Sequence, residues 1–250
     1  YLNNQEVISL YLNGFSSVKI AKLFNCSKQT INKTLKENNV AIRNNSHCQQ
    51  KYKIDENIFE NIDTYEKAYW LGMLTGDGCV NIKNELSLSL QEKDKEHVFK
   101  FRDFLKSNHP ISKIYNKNKK DGSKSISYAI SISNQKIVND LIRIGFTNKK
   151  TYHIDFPNIN ENLISNYMLG LVDSDGSFNI KKRSNSLNFN FVGPIDFVEK
   201  FQQILIEKCN VSKTKLGLSK TTDFIRLVYY GGYKNILKIV KFLYEKSTTY

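Results

Sequence analysis

The stretch Tyr69-Trp70-Leu71-Gly72-Met73-Leu74-Thr75-Gly76-Asp77-Gly78 recurs 98 residues further on as Tyr167-Met168-Leu169-Gly170-Leu171-Val172-Asp173-Ser174-Asp175-Gly176. Self-similarity at a domain-sized offset implies two halves of one architecture. In each copy small residues stand four apart, Gly72 with Gly76 and Gly170 with Ser174, so each helix has a smooth face on which the other can lie closely. Each copy ends in an acid followed by glycine, and a glycine suits the left-handed turn that stops many helices. Packed side by side, the two helices deliver Asp77 and Asp175 to one point.

Outward from each motif the same succession follows: two alternating strands, a helix, two more strands and a helix. In the first half these are 79–84, 86–91, 94–106, 111–117, 124–133 and 134–144; in the second, 177–183, 187–192, 195–208, 213–219, 224–230 and 233–244. The fold class is therefore α+β, two pseudo-symmetric αββαββα halves over 65–160 and 161–250. Leu86, Leu88 and Leu90 alternate with Ser87, Ser89 and Gln91, and Ile126, Tyr128, Ile130 and Ile132 with small polar residues including Ser125 and Ser127. Period two puts the apolar set against helices and leaves a polar sheet face. Asn81 and Lys83 join that face in the first half, with Asn179, Lys181, Arg183, Asn188 and Asn190 in the second. Such a face is either an ordinary solvated surface or, given the charge and the duplication, a concave nucleic-acid cradle.

Helix C-termini carry partial negative charge and free carbonyls, so paired carboxylates there favour a hard divalent cation, Mg²⁺ or Mn²⁺. Without a cation the two acids would repel and one would take up a proton. Either Asp alone could merely cap a turn; recurrence at matched positions behind matched small-residue faces argues for a joint site.

Residues 1–45 show three short helical periodicities. Asn13-Gly14 ends the first, Ser16 or Ser17 caps the second, and Asn25-Cys26-Ser27 turns into the third with Ser27 as cap. Ala21 is small where helices cross, and Phe24, Cys26 and Ile31 are spaced to fill the wedge. The pattern resembles a helix-turn-helix whose last helix presents Lys28, Gln29, Thr30, Asn32 and Lys33 to a major groove; a three-helix packing module with a solvated face is the alternative. Residues 46–64 read as a linker.

The 250 residues carry a net charge of +13, with 40% hydrophobic residues, 15 Phe and 14 Tyr, enough for a folded core and pointing to a polyanionic partner. The surplus is +2 over 1–64, +6 over 65–160 and +5 over 161–250. The longest apolar runs fall far short of the ~20 residues a bilayer requires, and no leader pattern opens the chain, so neither membrane insertion nor secretion is expected. Cys26, Cys48, Cys79 and Cys209 have no paired spacing and read as small buried hydrophobes in a reducing compartment. His47, His97, His109 and His153 are scattered without ligand spacing and receive no metal role.

The two motifs, about a hundred residues apart, resemble the signature of the LAGLIDADG homing endonucleases in their single-chain form, over residues 65–250. The resemblance implies a pseudo-twofold pair of halves with the motif helices at the interface and the sheets as a saddle over DNA. It implies a monomer that cuts both strands of a long asymmetric duplex site. Carried onto this chain, the metal acids fall on Asp77 and Asp175, with the carbonyls of Gly76 and Ser174 as further ligands. A water-organising residue falls on Asp94, and a catalytic lysine on Lys150, with Lys149 adjacent. The second half departs from the pattern, with Pro194 in the place of Asp94 and its basic residue at Lys246 or beyond Tyr250. Thr75 replaces the first acid of the motif, which Asp173 retains.

Beside such a saddle the run Lys117-Asn118-Lys119-Lys120-Asp121-Gly122 is a hairpin loop that touches phosphates. Strand residues, Lys113, Lys213 and Lys215 among them, complete the DNA-contacting set. The leading reading is a site-specific, metal-dependent DNA endonuclease with an appended helix-turn-helix, encoded by a mobile intron or phage and acting in a cytoplasm, nucleoid or organellar matrix. A non-cleaving regulator or intron maturase on the same fold, and the nuclease portion of an intein, remain open.

Overall fold

Three short helices open the chain: α1 (Asn4–Leu12), α2 (Ser17–Leu23) and α3 (Lys28–Glu37). Their boundaries follow from side-chain caps. Asn3 Oδ1 accepts from the Gln5 amide at 3.2 Å, Ser16 Oγ from Lys19 at 3.2 Å and Ser27 Oγ from Thr30 at 3.1 Å; each cap of this kind stabilises a helix by about 1 kcal/mol. Gly14 and Asn25 take the positive φ, +97° and +48°, that reverses the chain between helices. Val7, Tyr11, Ile20, Ala21, Ile31 and Leu35 form the core, with Phe24 and Cys26 packed against it. Leu12, Val18 and Leu23 are exposed instead.

The computed structural model describes residues 3–42, 52–81, 84–117, 122–146, 154–181, 186–218 and 223–247, and the chain divides into a unit ending at Tyr52 and one beginning at Lys53. The second unit starts earlier than the expected linker allows, because part of 46–64 is core. Ile58 and Phe59 are buried, Phe59 meets Phe104 edge-on at 5.8 Å, and Lys136 bonds Glu60 at 3.0 Å.

The first half runs α4 (Tyr65–Asp77), β1 (Gly78–Val80), β2 (Glu85–Gln91), a 3-10 turn (Glu92–Asp94), α5 (Lys95–Phe104), β3 (Ile111–Lys117), β4 (Lys124–Ser133) and α6 (Gln135–Arg143). The second runs α7 (Ile164–Asp175), β5 (Gly176–Lys181), β6 (Ser186–Pro194), α8 (Ile195–Cys209), β7 (Gly217–Leu218), β8 (Ile225–Gly231) and α9 (Tyr233–Tyr244). The sheets are antiparallel with the same order, β1-β2-β4-β3 and β5-β6-β8-β7. Alternation does what the sequence predicts: Leu86, Leu88, Ile130 and Ile132 are buried beneath Trp70, Val98 and Phe101, while Ser89, Gln91 and Ser131 are exposed. The second core is aromatic, with Phe191 stacked on Phe201 at 4.2 Å.

Two strand expectations change. The span predicted over 213–219 reduces to β7, because Thr214 is tied to α8, where Gln202 Nε2 donates to its carbonyl at 2.9 Å and its hydroxyl at 3.0 Å. Cys79 is exposed on β1, whereas Cys26 is half-buried and Cys209 buried; burial raises the Cys209 thiol to about 11. Cys48 lies outside the described residues.

Candidate active site at the paired helix ends

The motif helices meet without side chains between them. A Cβ on Gly72 would stand 2.0 Å from the Tyr167 carbonyl oxygen, and one on Gly170 would stand 2.1 Å from that of Tyr69. These backbone contacts cannot give way, so only glycine is tolerated. One turn on, a Cβ on Gly76 would lie 1.9 Å from Ser174 Oγ and 3.0 Å from Asp175 Oδ2. The C-terminal ends of α4 and α7 therefore adjoin, and Asp77 and Asp175 are exposed there.

Gly78 and Gly176 do not make the expected left-handed turn. Their backbones are extended, φ −73° with ψ 159° and φ −89° with ψ 168°, and each begins a strand directly. Glycine is required for another reason: a Cβ would sit 2.6 Å from the carbonyl of Leu74 or of Val172. The helix passes into the strand with no loop, which fixes each acid at the sheet margin.

Two cavities flank the joined ends. One, of about 740 Å³, is lined by Asp77, Ser89, Gln91, Asp94, His97 and Asp173. The other, of about 270 Å³, is lined by Asp175, Val192, Gly193, Pro194, Phe197 and Thr75. They correspond position by position. Gly78 pairs with Leu88 and Gly176 with Phe191, so three residues further along β2 and β6 Gln91 corresponds to Pro194. The expected match of Pro194 with Asp94 is thereby corrected. Asp94 belongs to the turn Glu92–Asp94, and in the second half α8 begins immediately after Pro194.

His97, given no role from sequence, belongs to the wall of the Asp77 cavity. Tyr69 donates its hydroxyl proton to Asp173 Oδ2 at 2.8 Å, and its oxygen lies 2.5 Å from His97 Nε2. Burial lowers the His97 pKa, with the Lys100 charge adding to the effect and Asp94 opposing it. Asp173 keeps an exposed edge, yet desolvation of its carboxyl raises its pKa against the Tyr69 hydrogen bond. In the opposite wall Tyr167 donates to Thr75 Oγ1 at 3.3 Å. A lone histidine with no ligand spacing gives no signal in sequence; its place becomes visible only when α5 is laid against α4.

Lys246 is not near the acids. Its Nζ lies 5.7 Å from the Tyr65 ring centroid, and its carbonyl accepts from Asn166 at 3.2 Å. Tyr65 begins the helix that Asp77 ends, a rise of roughly 18 Å at 1.5 Å per residue. Lys150 lies outside the described residues, as do Lys83, Lys119, Lys120 and Arg183.

The DNA-contacting candidates separate by face. Ser87, Ser89, Gln91, Ser125 and Ser127 share the polar face of the first sheet, and Ser127 accepts from Asn116 at 2.9 Å. Lys113 and Lys117 project from the other face of β3, opposite Tyr128 and Lys124, and Lys113 pairs with Glu92 at 3.5 Å. In the second sheet Asn179, Lys181, Asn188 and Asn190 share a face; Lys181 reaches the Tyr229 hydroxyl at 3.0 Å, and Asn188 is buried, accepting from that hydroxyl. Asn81 is exposed beyond β1 and bonds Glu85 at 2.8 Å. Lys213 and Lys215 line a groove with Asp196, Glu199 and Lys200 of α8. On α3, Lys28, Gln29, Thr30 and Lys33 are exposed and Asn32 is half-buried.

All the candidate donors at the helix ends are oxygens, a set suited to a hard cation. Among the described residues no three His, Cys, Asp or Glu side chains converge on a point, so a cation here would complete its shell with phosphate and water oxygens. No helix among the described residues is long and apolar enough to cross a membrane.

Comparison with known proteins agrees with this geometry. Residues 64–145 match the LAGLIDADG-like domain family. Uncharacterized protein MJ0314 of Methanocaldococcus jannaschii is 30% identical over 228 residues, 87% of this chain and 78% of that one. The chain belongs to the LAGLIDADG family. Its fold is that of the homing endonuclease I-WcaI bound to its DNA recognition sequence, with a TM-score of 0.50 at 15% identity over 74% of this chain and 81% of that one. Full-length DUF199/WhiA from Thermatoga maritima also aligns, with a TM-score of 0.46 at 18% identity over 75% of this chain and 60% of that one. In this LAGLIDADG protein the family match covers the first motif, and the shared sheet order extends the same architecture to the second.

Proposed function

We propose that this protein is a site-specific DNA endonuclease that hydrolyses phosphodiesters in both strands of a long duplex site, as a monomer, with Mg²⁺ or Mn²⁺. The observation that carries the reading is the delivery of Asp77 and Asp175 to adjoining helix ends, each at the mouth of its own cavity beside a sheet face. Clustered carboxylates are costly next to phosphates unless a cation intervenes. Asp77, Asp175 and the carbonyls of Gly76 and Ser174 would hold that cation. When bound, it polarises the scissile phosphate and lowers the pKa of an attacking water. The polar strand residues present amides and hydroxyls to base edges, and surplus positive charge holds the backbone. The α3 residues extend the footprint as a helix-turn-helix. A gene carried by a mobile intron or phage fits such an enzyme.

The test uses a supercoiled plasmid pool with a randomised insert, incubated with the full chain and Mg²⁺, and sequencing of the linearised and nicked products. One recurring site is expected, with Asp175→Asn binding it while cutting ~100-fold more slowly. Specific binding without cutting in either metal would instead support the regulator reading. Deleting residues 1–45 is expected to weaken binding and leave metal-dependent cutting intact.

A further inference from the structure

We infer that the two strands are cut at unequal rates, the strand at the Asp77 cavity first, so that a nicked duplex is the intermediate of the double-strand break. This rests on the nuclease reading and specifies how its two sites divide the work. In each cut a water oxygen bonds to phosphorus and the P–O3′ bond breaks. The water's proton passes to solvent, and the departing 3′ oxygen takes one from solvent. The attacking water needs hydrogen-bonding partners that orient it, and the two cavities differ in supplying them.

At the Asp77 cavity Gln91 and Ser89 project from the polar face of β2 and Asp94 from the turn that follows. The corresponding places at the Asp175 cavity are Pro194 and Val192, and the counterpart of Asp94 is absent because α8 starts directly after Pro194. Proline has no amide proton, and valine no polar atom. The rear wall differs likewise. His97 is the third residue of α5 and Phe197 the third of α8; the first joins the Tyr69–Asp173 hydrogen bonds, whereas Phe197 lies 5.2 Å from the Phe156 ring. The smaller cavity thus offers Asp175 a largely apolar surround, and positioning residues for water stand on one side of the midline.

The experiment labels each strand of the selected duplex with a different fluorophore and follows both cuts with the full chain and Mg²⁺. The expected ratio of rates is about 10- to 100-fold, the usual range for losing outer-shell partners. Gln91→Ala with Asp94→Ala, both at exposed positions, should slow the faster cut and bring the ratio towards one, while duplex binding in Ca²⁺ stays within ~3-fold. Equal rates in the unaltered protein, or an unchanged ratio in the double variant, overturn the inference and leave the nuclease reading standing. Absence of cutting in both strands overturns the nuclease reading itself. A readout independent of turnover is Mn²⁺ alone, titrated into the full chain and followed by electron paramagnetic resonance. Asp77→Asn should weaken binding ~10-fold and Asp175→Asn less, because ligand charge sets affinity; equal losses count against the inequality.

Discussion

Leu88 pairs with Gly78 on one side and Ile130 on the other, and Phe191 pairs with Gly176 and Val228 in the same way. The backbones of the two halves follow one plan, down to the glycine that begins each inner strand. The side chains around the acids do not, since Gln91 and His97 face one of them and Pro194 and Phe197 the other. Duplication fixes what sterics police. A Cβ at 2.0 Å from a carbonyl is forbidden in either helix, whereas a cavity wall tolerates any side chain that packs.

Four pairs of substitutions can break or sharpen this contrast. The largest losses should come from the sheet cores, where Phe191→Ala is expected to cost about 4 kcal/mol and Leu88→Ala about 3 kcal/mol in urea unfolding. A loss below ~1 kcal/mol in either would mean that the halves do not share a packing plan. Next, Gly72→Ala and Gly170→Ala should each destabilise by about 3 kcal/mol, and nearly equally, because both added methyls strike backbone. Tolerance of one but not the other would show that the helix pair is not symmetric.

The remaining pairs should be unequal. Tyr69→Phe removes the donor to Asp173 and the partner of His97 together, about 2 kcal/mol, whereas Tyr167→Phe removes one long hydrogen bond to Thr75, about 0.5 kcal/mol. Thermal melts of the two variants decide it, and matching values would remove the distinction between the walls. The smallest effect is one of pH. The folded-state pKa of His97 lies below its ordinary 6.5, so the unfolded chain binds more protons there. Its contribution is complete above 6.5 and lost as the pH falls through 6.5 towards the lower folded value. His97→Gln should flatten that decline relative to the parent protein, and Phe197→Leu should not; His109, also lowered by burial, leaves a residual slope.

The motif helices, their glycine contacts and the sheet order were legible in the sequence because each rests on a short period: four residues along a helix, two along a strand. The caps at Ser16 and Ser27 were legible because a hydroxyl before a helix has one common use. What escaped depends on contacts between distant segments. Ile58 and Phe59 are too few to show periodicity, and their burial comes from α5 and α6. The parity that sends Lys113 to the helix side depends on where β3 meets β4, which alternation within one strand cannot reveal. Asp94 was matched to Pro194 because counting from the motif skips no residues, while the real chain inserts a turn. Lys246 was placed by order along the chain, although α9 returns to the start of the motif helices.

The outer margins of the two sheets deal with unpaired backbone in different ways. β3 exposes a seven-residue edge that carries Lys113 and Lys117, and β7 exposes a margin only two residues long. Charge guards the first and brevity the second. Each therefore resists joining a strand from a neighbouring molecule, which lets a chain with two open sheets remain solitary when crowded along a polymer that concentrates it.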